Sequence, residues 1–345
     1  MNVLFIGGTG IISSACSRLA VKRGVSLTLL TRGQHATKIA GAETINAEIN
    51  DVSAVAGALR GRRFDAIVNW IAFTPADIER DLELFRGLTR QYIFISSASA
   101  YQKPSTCYLI TESTPLANPH WDYSRGKIAC EQRLLKAYRE EAFPITIVRP
   151  SLTYGESLIP LVINSWQRSY TVVDRMLKRH KVIVPGDGSS LWVITHNTDF
   201  AKGFVALLGH EQSIGHAFHI TSDEALSWDQ LYRIVGAAVG VEPRIVHIPS
   251  DFMVACLPEM EGTLTGDKSV SVVFDNSKIK RFVPDYMATT PFAEGVRRSL
   301  AWFDADPSRK LIDSEATASW DKLIEGYEKG LKEAVAGFQT TAVSG

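Results

Sequence analysis

The sequence is short of several things that would announce a function. Only four cysteines, Cys16, Cys107, Cys130 and Cys256, stand among 345 residues, and no two form a C-x-x-C pair. That argues against a disulfide framework and against a zinc site. Charge of either sign is not in excess, since 37 Lys plus Arg balance 37 Asp plus Glu. A dedicated nucleic-acid binder needs a basic surplus to neutralise phosphates, so a nucleic-acid partner is not expected. No apolar run nears the roughly 18 residues that cross a bilayer, so neither is a membrane. The opening Met1-Asn2-Val3-Leu4-Phe5-Ile6-Gly7 is too brief an apolar run for a signal peptide. His216 and His219, three apart in an expected strand, fall on opposite faces and are unsuited to share a metal, and no metal is expected. What is present, 45% hydrophobic and 21% charged residues, suits a soluble, cytoplasmic chain with a sizeable core. At about 150 residues per domain, the length points to two domains or one large one.

Short apolar runs at Val3–Ile6, Leu27–Leu30, Thr44–Ala47, Ile67–Ile71, Tyr92–Ile95 and Ile145–Val148 alternate with helical patterns at Ile11–Arg23, Val52–Leu59, Pro75–Leu88 and Tyr123–Glu141. Continuous rather than alternating apolar runs suit strands covered on both faces. Six such strands interleaved with helices predict an α/β fold, a doubly wound parallel sheet of the Rossmann type. After Pro150 the pattern changes to helices at Ile159–Lys178, Asp199–Leu208, Trp228–Val239, Phe292–Phe303 and Glu315–Val335. The expected organisation is a dinucleotide-binding core over residues 1–155, a smaller, partly helical substrate lobe over 156–335 with segments returning to the core, and a frayed tail over 336–345.

Gly7-Gly8-Thr9-Gly10-Ile11-Ile12-Ser13 follows the first strand and opens the first helix. A dinucleotide pyrophosphate asks for this arrangement: a tight turn, close backbone approach and a helix N-terminus aimed at the charge. Ser13 stands where a third glycine would allow the tightest packing. The second strand ends Leu30-Thr31-Arg32-Gly33, without the acid that usually meets the ribose hydroxyls of NAD. Arg32 could instead pair with a 2′-phosphate, a slight lean towards NADP. Glu48, after the third strand, is placed to touch the adenine amino group.

Tyr123-Ser124-Arg125-Gly126-Lys127 is a Y-x-x-x-K opening a helix, and the preceding strand ends Ile95-Ser96-Ser97-Ala98-Ser99-Ala100-Tyr101. A phenol with pKa of about 10 takes or gives a proton near neutrality only if that value falls. A lysine four residues on shares its helical face. A unit charge near 4 Å at an effective dielectric of about 20 contributes roughly 4 kcal/mol, about 3 pK units.

On these segments, with Arg149-Pro150 and Tyr154-Gly155, the chain resembles the extended short-chain dehydrogenase/reductase superfamily, in its NAD-dependent epimerase/dehydratase branch, over roughly residues 1–310. The resemblance implies Ser97, Tyr123 and Lys127 as catalytic residues, with Tyr123 the general acid/base and Lys127 both tuning it and holding the nicotinamide ribose. The expected cofactor, NAD(P)(H), would meet Gly7, Gly10, Ile11, Ile12, Arg32, Glu48, Ile49, Ala72, Lys127 and Arg149. The expected substrate contacts are Phe73, Ser99, Trp121, Trp192 and His196. The family also implies a homodimer built on the helices near Pro75–Leu88 and Tyr123–Glu141.

Two departures shape the expected activity. Family dehydratases carry Asp-Glu after the catalytic position, where this chain has Ala98-Ser99, so dehydration is disfavoured. Nucleotide-sugar members clamp a diphosphate with an arginine where Gly186-Asp187-Gly188-Ser189-Ser190-Leu191 leads to Trp192. An indole suits stacking on a sugar ring or apolar group, and at least one of Trp121, Trp166 and Trp192 is expected in the pocket. The expectation is an epimerase or reductase acting on an alcohol or ketone of a sugar-like molecule. The alternative is a non-catalytic nucleotide- or RNA-binding protein, because Leu29–Gly33 and Phe274–Arg281 also resemble a plant branch of stem-loop RNA-binding proteins. Lys278, Lys280 and Arg281 are few for that role in a neutral chain.

Overall fold

The computed structural model describes residues 1–33 and 38–341. The chain divides into two compact units, Met1–Gly155 with Val193–Ala225 and Val272–Phe292, and Glu156–Trp192 with Leu226–Ser271 and Ala293–Gly345.

The first unit is built on a parallel sheet. Strands β1 (Asn2–Ile6), β2 (Ser26–Thr31), β3 (Glu43–Asn46), β4 (Ala66–Asn69) and β5 (Tyr92–Ile95) are joined by strands Ile145–Arg149 and Ala217–His219. Their spatial order is β3-β2-β1-β4-β5, then Ile145–Arg149, then Ala217–His219. Val3 pairs with Leu27 on one side and Ala66 on the other. This is the doubly wound arrangement predicted above with a seventh strand added from a later stretch of chain. Residues 66–69 stop short of the apolar run that continues to Ile71, because Asn69 Oδ1 accepts the Ile71 N–H at 2.8 Å and turns the chain out of the sheet.

Both faces of the sheet are covered, which is why its strands read as continuous apolar runs. Helix α1 (Ile11–Lys22) and the helix Asn197–Ala206 cover one face, where Val3, Phe5, Leu27 and Leu29 pack with Cys16, Ala20, Phe200 and Phe204. Helices α2 (Val52–Ala58), α3 (Pro75–Phe85) and α4 (Asp122–Glu141) cover the other, where Leu4, Ile6, Phe94 and Ile147 meet Val55, Ile78, Leu82 and Leu134. Helix α3 starts sharply: Pro75 is pre-set for its first turn, and Thr74 and Asp77 exchange side-chain-to-backbone bonds.

The second unit holds helices Thr171–Leu177, Trp228–Ala238 and Ser250–Cys256, and most of Phe292–Asp304 and Ser314–Thr341. It also holds a parallel pair, Lys181–Pro185 with Arg244–Ile248, and an antiparallel pair, Leu191–Trp192 with Leu226–Ser227. The helix expected over Ile159–Lys178 forms only at Thr171–Leu177. Pro160 steers Ile159 away from the helical region. Side chains then satisfy the backbone instead, with Asn164 Nδ2 donating to the Ile159 and Ser169 carbonyls at 3.0 and 2.8 Å, and the Ile159 N–H donating to Ser169 Oγ at 3.1 Å. The helix Ser314–Thr341 runs through residues 336–341 of the tail expected to fray; residues 342–345 lie outside the described ones.

Candidate active site

The loops at the carboxyl ends of β1, β2, β3, β4 and β5 carry Gly7, Arg32, Glu48, Ala72 and Ser97 respectively, the edge where open parallel sheets take their ligands. Gly7 and Gly8 adopt left-handed φ of +92° and +100°. A Cβ on Gly8 would stand 2.8 Å from Leu29 Cδ2, so no other residue fits there without displacing the core. The Gly8 carbonyl accepts the Ser17 hydroxyl at 2.8 Å. Gly10 precedes α1 and donates its N–H to Ser13 Oγ at 2.9 Å. Ser13, the departure from a third glycine, therefore holds the turn. No acidic side chain occupies the first turn of α1, so its positive end is not neutralised from within the helix.

Sequence reasoning named Gly7 and Gly10 and passed over Gly8, although a glycine doublet directly after a strand was a readable signal. It also missed Asn197, whose Nδ2 donates to the Ile11 carbonyl at 2.7 Å and ties the glycine turn to the start of the helix Asn197–Ala206. A Cβ on Gly155 would lie 2.3 Å from that Nδ2. The Tyr154-Gly155 motif is thus the gap through which Asn197 reaches the loop.

Lys127 is 2% exposed, and its ammonium donates to the carbonyl oxygens of Ala72 at 2.7 Å and Ile95 at 2.8 Å. It sits 4.4 Å from the Phe73 ring centroid and 5.8 Å from that of Tyr123. Burial lowers its pKa to about 8. The helix can approach this closely because residue 126 is glycine: a Cβ there would lie 2.8 Å from the Phe73 carbonyl. Tyr123 is more than a third exposed, with Phe73 at 6.3 Å and Trp121 at 5.1 Å between ring centroids. A hydroxyl relay joins the helix to the β5 loop: Ser124 Oγ donates to Ser99 Oγ at 2.8 Å, and Ser99 Oγ shares a hydrogen bond of 2.9 Å with Ser97 Oγ.

A model of the NAD dependent epimerase/dehydratase family matches residues 3–221. The chain belongs to that family.

Within and around the family, the chain is 27% identical over 267 residues to the chloroplast stem-loop binding protein of 41 kDa b of Arabidopsis thaliana, covering 73% of this chain and 67% of that one. It is 28% identical over 169 residues to UDP-glucose 4-epimerase of Lactobacillus helveticus, covering 43% of this chain and 51% of that one. Among solved structures, an epimerase of Methanothermobacter thermautotrophicus superposes with a TM-score of 0.72 at 18% identity, covering 89% of this chain and 93% of that one. UDP-glucuronic acid 4-epimerase of Bacillus cereus, in complex with NAD, superposes with a TM-score of 0.70 at 16% identity, covering 90% and 100%. These structural likenesses show the extended short-chain dehydrogenase/reductase fold.

The epimerase/dehydratase-family chain turns several expected contact residues inward. Arg149 is 5% exposed and forks onto Glu131, with Nε to Oε1 at 2.9 Å and Nη2 to Oε2 at 2.6 Å, while Ser96 Oγ donates to the same carboxylate at 2.5 Å. The fork takes up Nε and Nη2, and the remaining Nη1 faces the Glu112 carbonyl at 3.5 Å. His196 is 1% exposed; its ring caps the helix Asn197–Ala206, shares a 2.7 Å hydrogen bond with Thr198, and packs edge-on against Tyr154. Trp192, in the second unit, is 3% exposed and stacked on Trp228. Ser99 lies beneath Ser97 in the relay, and Ile49 is in the core below the β3 loop. Trp166 is exposed, in the second unit. Phe73, Trp121, Ile11 and Ile12 remain at least partly open. Arg32 and Glu48 are both open and lie 3.7 Å apart as an ion pair. Among the described residues, no three His, Cys, Asp or Glu side chains converge as a metal site requires, and no helix is long and apolar enough to cross a membrane.

Proposed function

We propose that the chain is an NAD(P)-dependent epimerase or reductase acting on an alcohol or ketone carbon of a sugar-like small molecule, with Tyr123 as general acid/base. The observation that carries this reading is the arrangement of Tyr123, Lys127 and Ser97. Lys127 is bonded to the last carbonyl of β5, two residues before Ser97, and the relay from Ser97 ends on Ser124, beside Tyr123.

The glycine turn fits a dinucleotide: its left-handed backbone is free of side chains, and the positive end of α1 follows it. Gly7, Gly8, Gly10 and the N–H groups of Ile11 and Ile12 would hold the pyrophosphate. Glu48 and Arg32 would meet the adenosine, and Ala72 and Lys127 the nicotinamide ribose. When bound, nicotinamide supplies the acceptor or donor of a hydride. In the oxidative direction Tyr123, as phenolate, takes the hydroxyl proton while the carbinol C–H leaves with its electron pair as hydride. In the reverse direction the phenol returns its proton to the carbonyl oxygen as hydride arrives. Ser97 Oγ holds that oxygen in line, and the Lys127 cation favours the phenolate. The exposed faces of Phe73 and Trp121 beside Tyr123 suit the C–H face of a sugar ring. Ala98 and buried Ser99 offer no acid or base for dehydration.

The Arg32 side chain alone leans towards NADP, but the Glu48 carboxylate beside it opposes a 2′-phosphate and suits ribose hydroxyls, so NAD is the preferred cofactor in this reading. The second reading, RNA binding, is favoured by the likeness to the stem-loop binding protein. Against it, Lys280 is held by Asp223 at 2.8 Å, and the Lys278 ammonium lies over the Phe218 ring at 5.0 Å.

The deciding experiment denatures the purified protein and identifies any nucleotide released. Near-stoichiometric NAD indicates an epimerase that returns its hydride to the same substrate. An empty protein that binds NAD(P)H reversibly indicates a reductase. A protein that binds neither, but binds RNA with a steep salt dependence, overturns the proposal.

A further inference from the structure

Arg80, in the second turn of α3, is 10% exposed and holds three partners. Its Nη1 donates to Asp77 Oδ1 at 2.9 Å and to Asn50 Oδ1 at 2.7 Å. Its Nε and Nη2 fork onto Asp81 Oδ1 at 3.2 and 2.9 Å. The other oxygen of Asp77 serves the loop that follows β4 directly, and that of Asp81 reaches it through Asn69, the last residue of β4. Asp77 Oδ2 accepts the N–H groups of Phe73 and Thr74, both at 2.9 Å. Asp81 Oδ2 accepts Asn69 Nδ2 and the Tyr92 hydroxyl, each at 2.5 Å, and Asn69 Oδ1 in turn accepts the Ile71 N–H. The loop is therefore pinned at Ile71 on one side and at Phe73–Thr74 on the other. Between the pins lies Ala72, whose carbonyl accepts Lys127.

We infer that Arg80 is a positioning residue for the cofactor site: by orienting Asp77 and Asp81 together it fixes the Ala72 carbonyl against Lys127, and through Asn50 it joins the β4 loop to the β3 loop that carries Glu48. The inference rests on the reading of Lys127 given above. Its physical content is that each carboxylate has one oxygen turned to the guanidinium and one that holds the loop, Asp77 directly and Asp81 through Asn69, so that a single planar fork sets the rotation of both. Without it, two carboxylates one helical turn apart repel each other, and each loses the partner that holds its loop-facing oxygen in place. The interior of Asp81, fully buried, raises the stakes, because a carboxylate there without its guanidinium carries an uncompensated charge.

The test compares amide hydrogen exchange and NADH binding in the wild-type chain and in Arg80→Gln, with Arg80→Lys as the variant that keeps the charge but loses the fork. Exchange at Ile71, Phe73 and Thr74 is expected to quicken by about tenfold or more in Arg80→Gln, with Ile67 and Val68 of β4 unchanged. NADH affinity, read by the fluorescence of the bound nucleotide, is expected to fall by about tenfold, and Arg80→Lys to lie between. If Arg80→Gln does not fold, the Arg80→Lys comparison carries the test with the same ordering of loop over strand. Unchanged loop exchange, or equal quickening in loop and strand, overturns the inference. Lys127→Met separates the two readings: wild-type NADH affinity in that variant sinks the assignment of Lys127, while weakened binding there with wild-type behaviour in the Arg80 variants sinks the role of Arg80 alone.

Discussion

The ammonium of Lys127 lies 2.7 Å from the carbonyl oxygen of Ala72, in a site that leaves the side chain 2% exposed. Burial disfavours the charge, and its pKa is lowered to about 8, against about 10.4 for an unfolded lysine. Between those values the unfolded chain keeps a proton that the folded chain releases. The contribution of this group to stability therefore rises with pH across that window, and its burial cost is felt in full below about pH 8. The melting temperature of the wild type minus that of Lys127→Met should increase from about pH 8 to about pH 10. NADH affinity, if it depends on the cation, should decline over the same range. A flat difference in melting temperature would show that the ammonium is not held as the geometry has it.

Tyr123→Phe removes one oxygen and leaves the ring among Phe73 and Trp121. NADH binding should stay within about twofold of wild type, since the aromatic packing is kept. Conversion of any sugar found active with the wild type should fall by about 100-fold to 10,000-fold, the usual range for losing a general acid/base. The assay follows NADH absorbance and the product by NMR. Comparable conversion by wild type and variant would remove Tyr123 from the chemistry.

Much of the first unit was legible in the sequence because a parallel sheet imposes a simple rule: strands buried on both faces must be apolar throughout. Val3–Ile6 and Tyr92–Ile95 obeyed it and were placed within a residue. The strand Ala217–His219 was readable as a strand but not as part of this sheet, since its partner Ile145–Arg149 is about seventy residues earlier and no local pattern encodes that pairing. That Ser97, Tyr123 and Lys127 lie near one another was legible because the serine closes a strand and the other two open a helix four residues apart; the catalytic roles proposed for them rest on that arrangement. Arg149 and His196 are both held inward, and sequence could not foresee it: a polar side chain at a strand end can turn outward to a ligand or inward to a partner. Glu131 beside Arg149 and Tyr154 against His196 are set by tertiary packing, whereas Thr198 meets His196 locally, in the cap of the helix that follows. The Arg80 cluster gave no signal, because a charged helix turn reads in sequence as a solvated face.

Arg32 and Glu48 form a pair in which both side chains are about half exposed, with Nε 3.7 Å from Oε2. An exposed pair of this kind contributes little to stability, yet it sets the local charge that a 2′-phosphate would meet. The wild type should bind NADH more tightly than NADPH. Glu48→Gln should raise NADPH affinity by about threefold while leaving NADH within about twofold, and the gain should shrink in about 1 M salt, where charges this exposed are screened. Titration of both nucleotides at two ionic strengths checks it. Equal affinities in the wild type would mean that neither residue reads the ribose.

Gly126→Ala sets two effects against each other within α4. Helix propensity alone predicts a gain of about 1 kcal/mol on replacing glycine by alanine. The new Cβ, however, would lie 2.8 Å from the Phe73 carbonyl oxygen, closer than such contacts allow. That carbonyl cannot retreat cheaply, because the N–H groups of Phe73 and Thr74 are both held by Asp77. The helix must give way instead, and overpacking of this kind costs about 1–3 kcal/mol, enough to reverse the propensity gain. Urea unfolding should therefore show Gly126→Ala less stable than wild type, and NADH binding should weaken as Lys127 is drawn from Ala72. Gly57, in α2, is the control: nothing lies within 4 Å of a Cβ there, so Gly57→Ala should gain about 0.5–1 kcal/mol. If both substitutions stabilise equally, the approach of α4 to the β4 loop is looser than the contact requires, and the Lys127 site is not held by it.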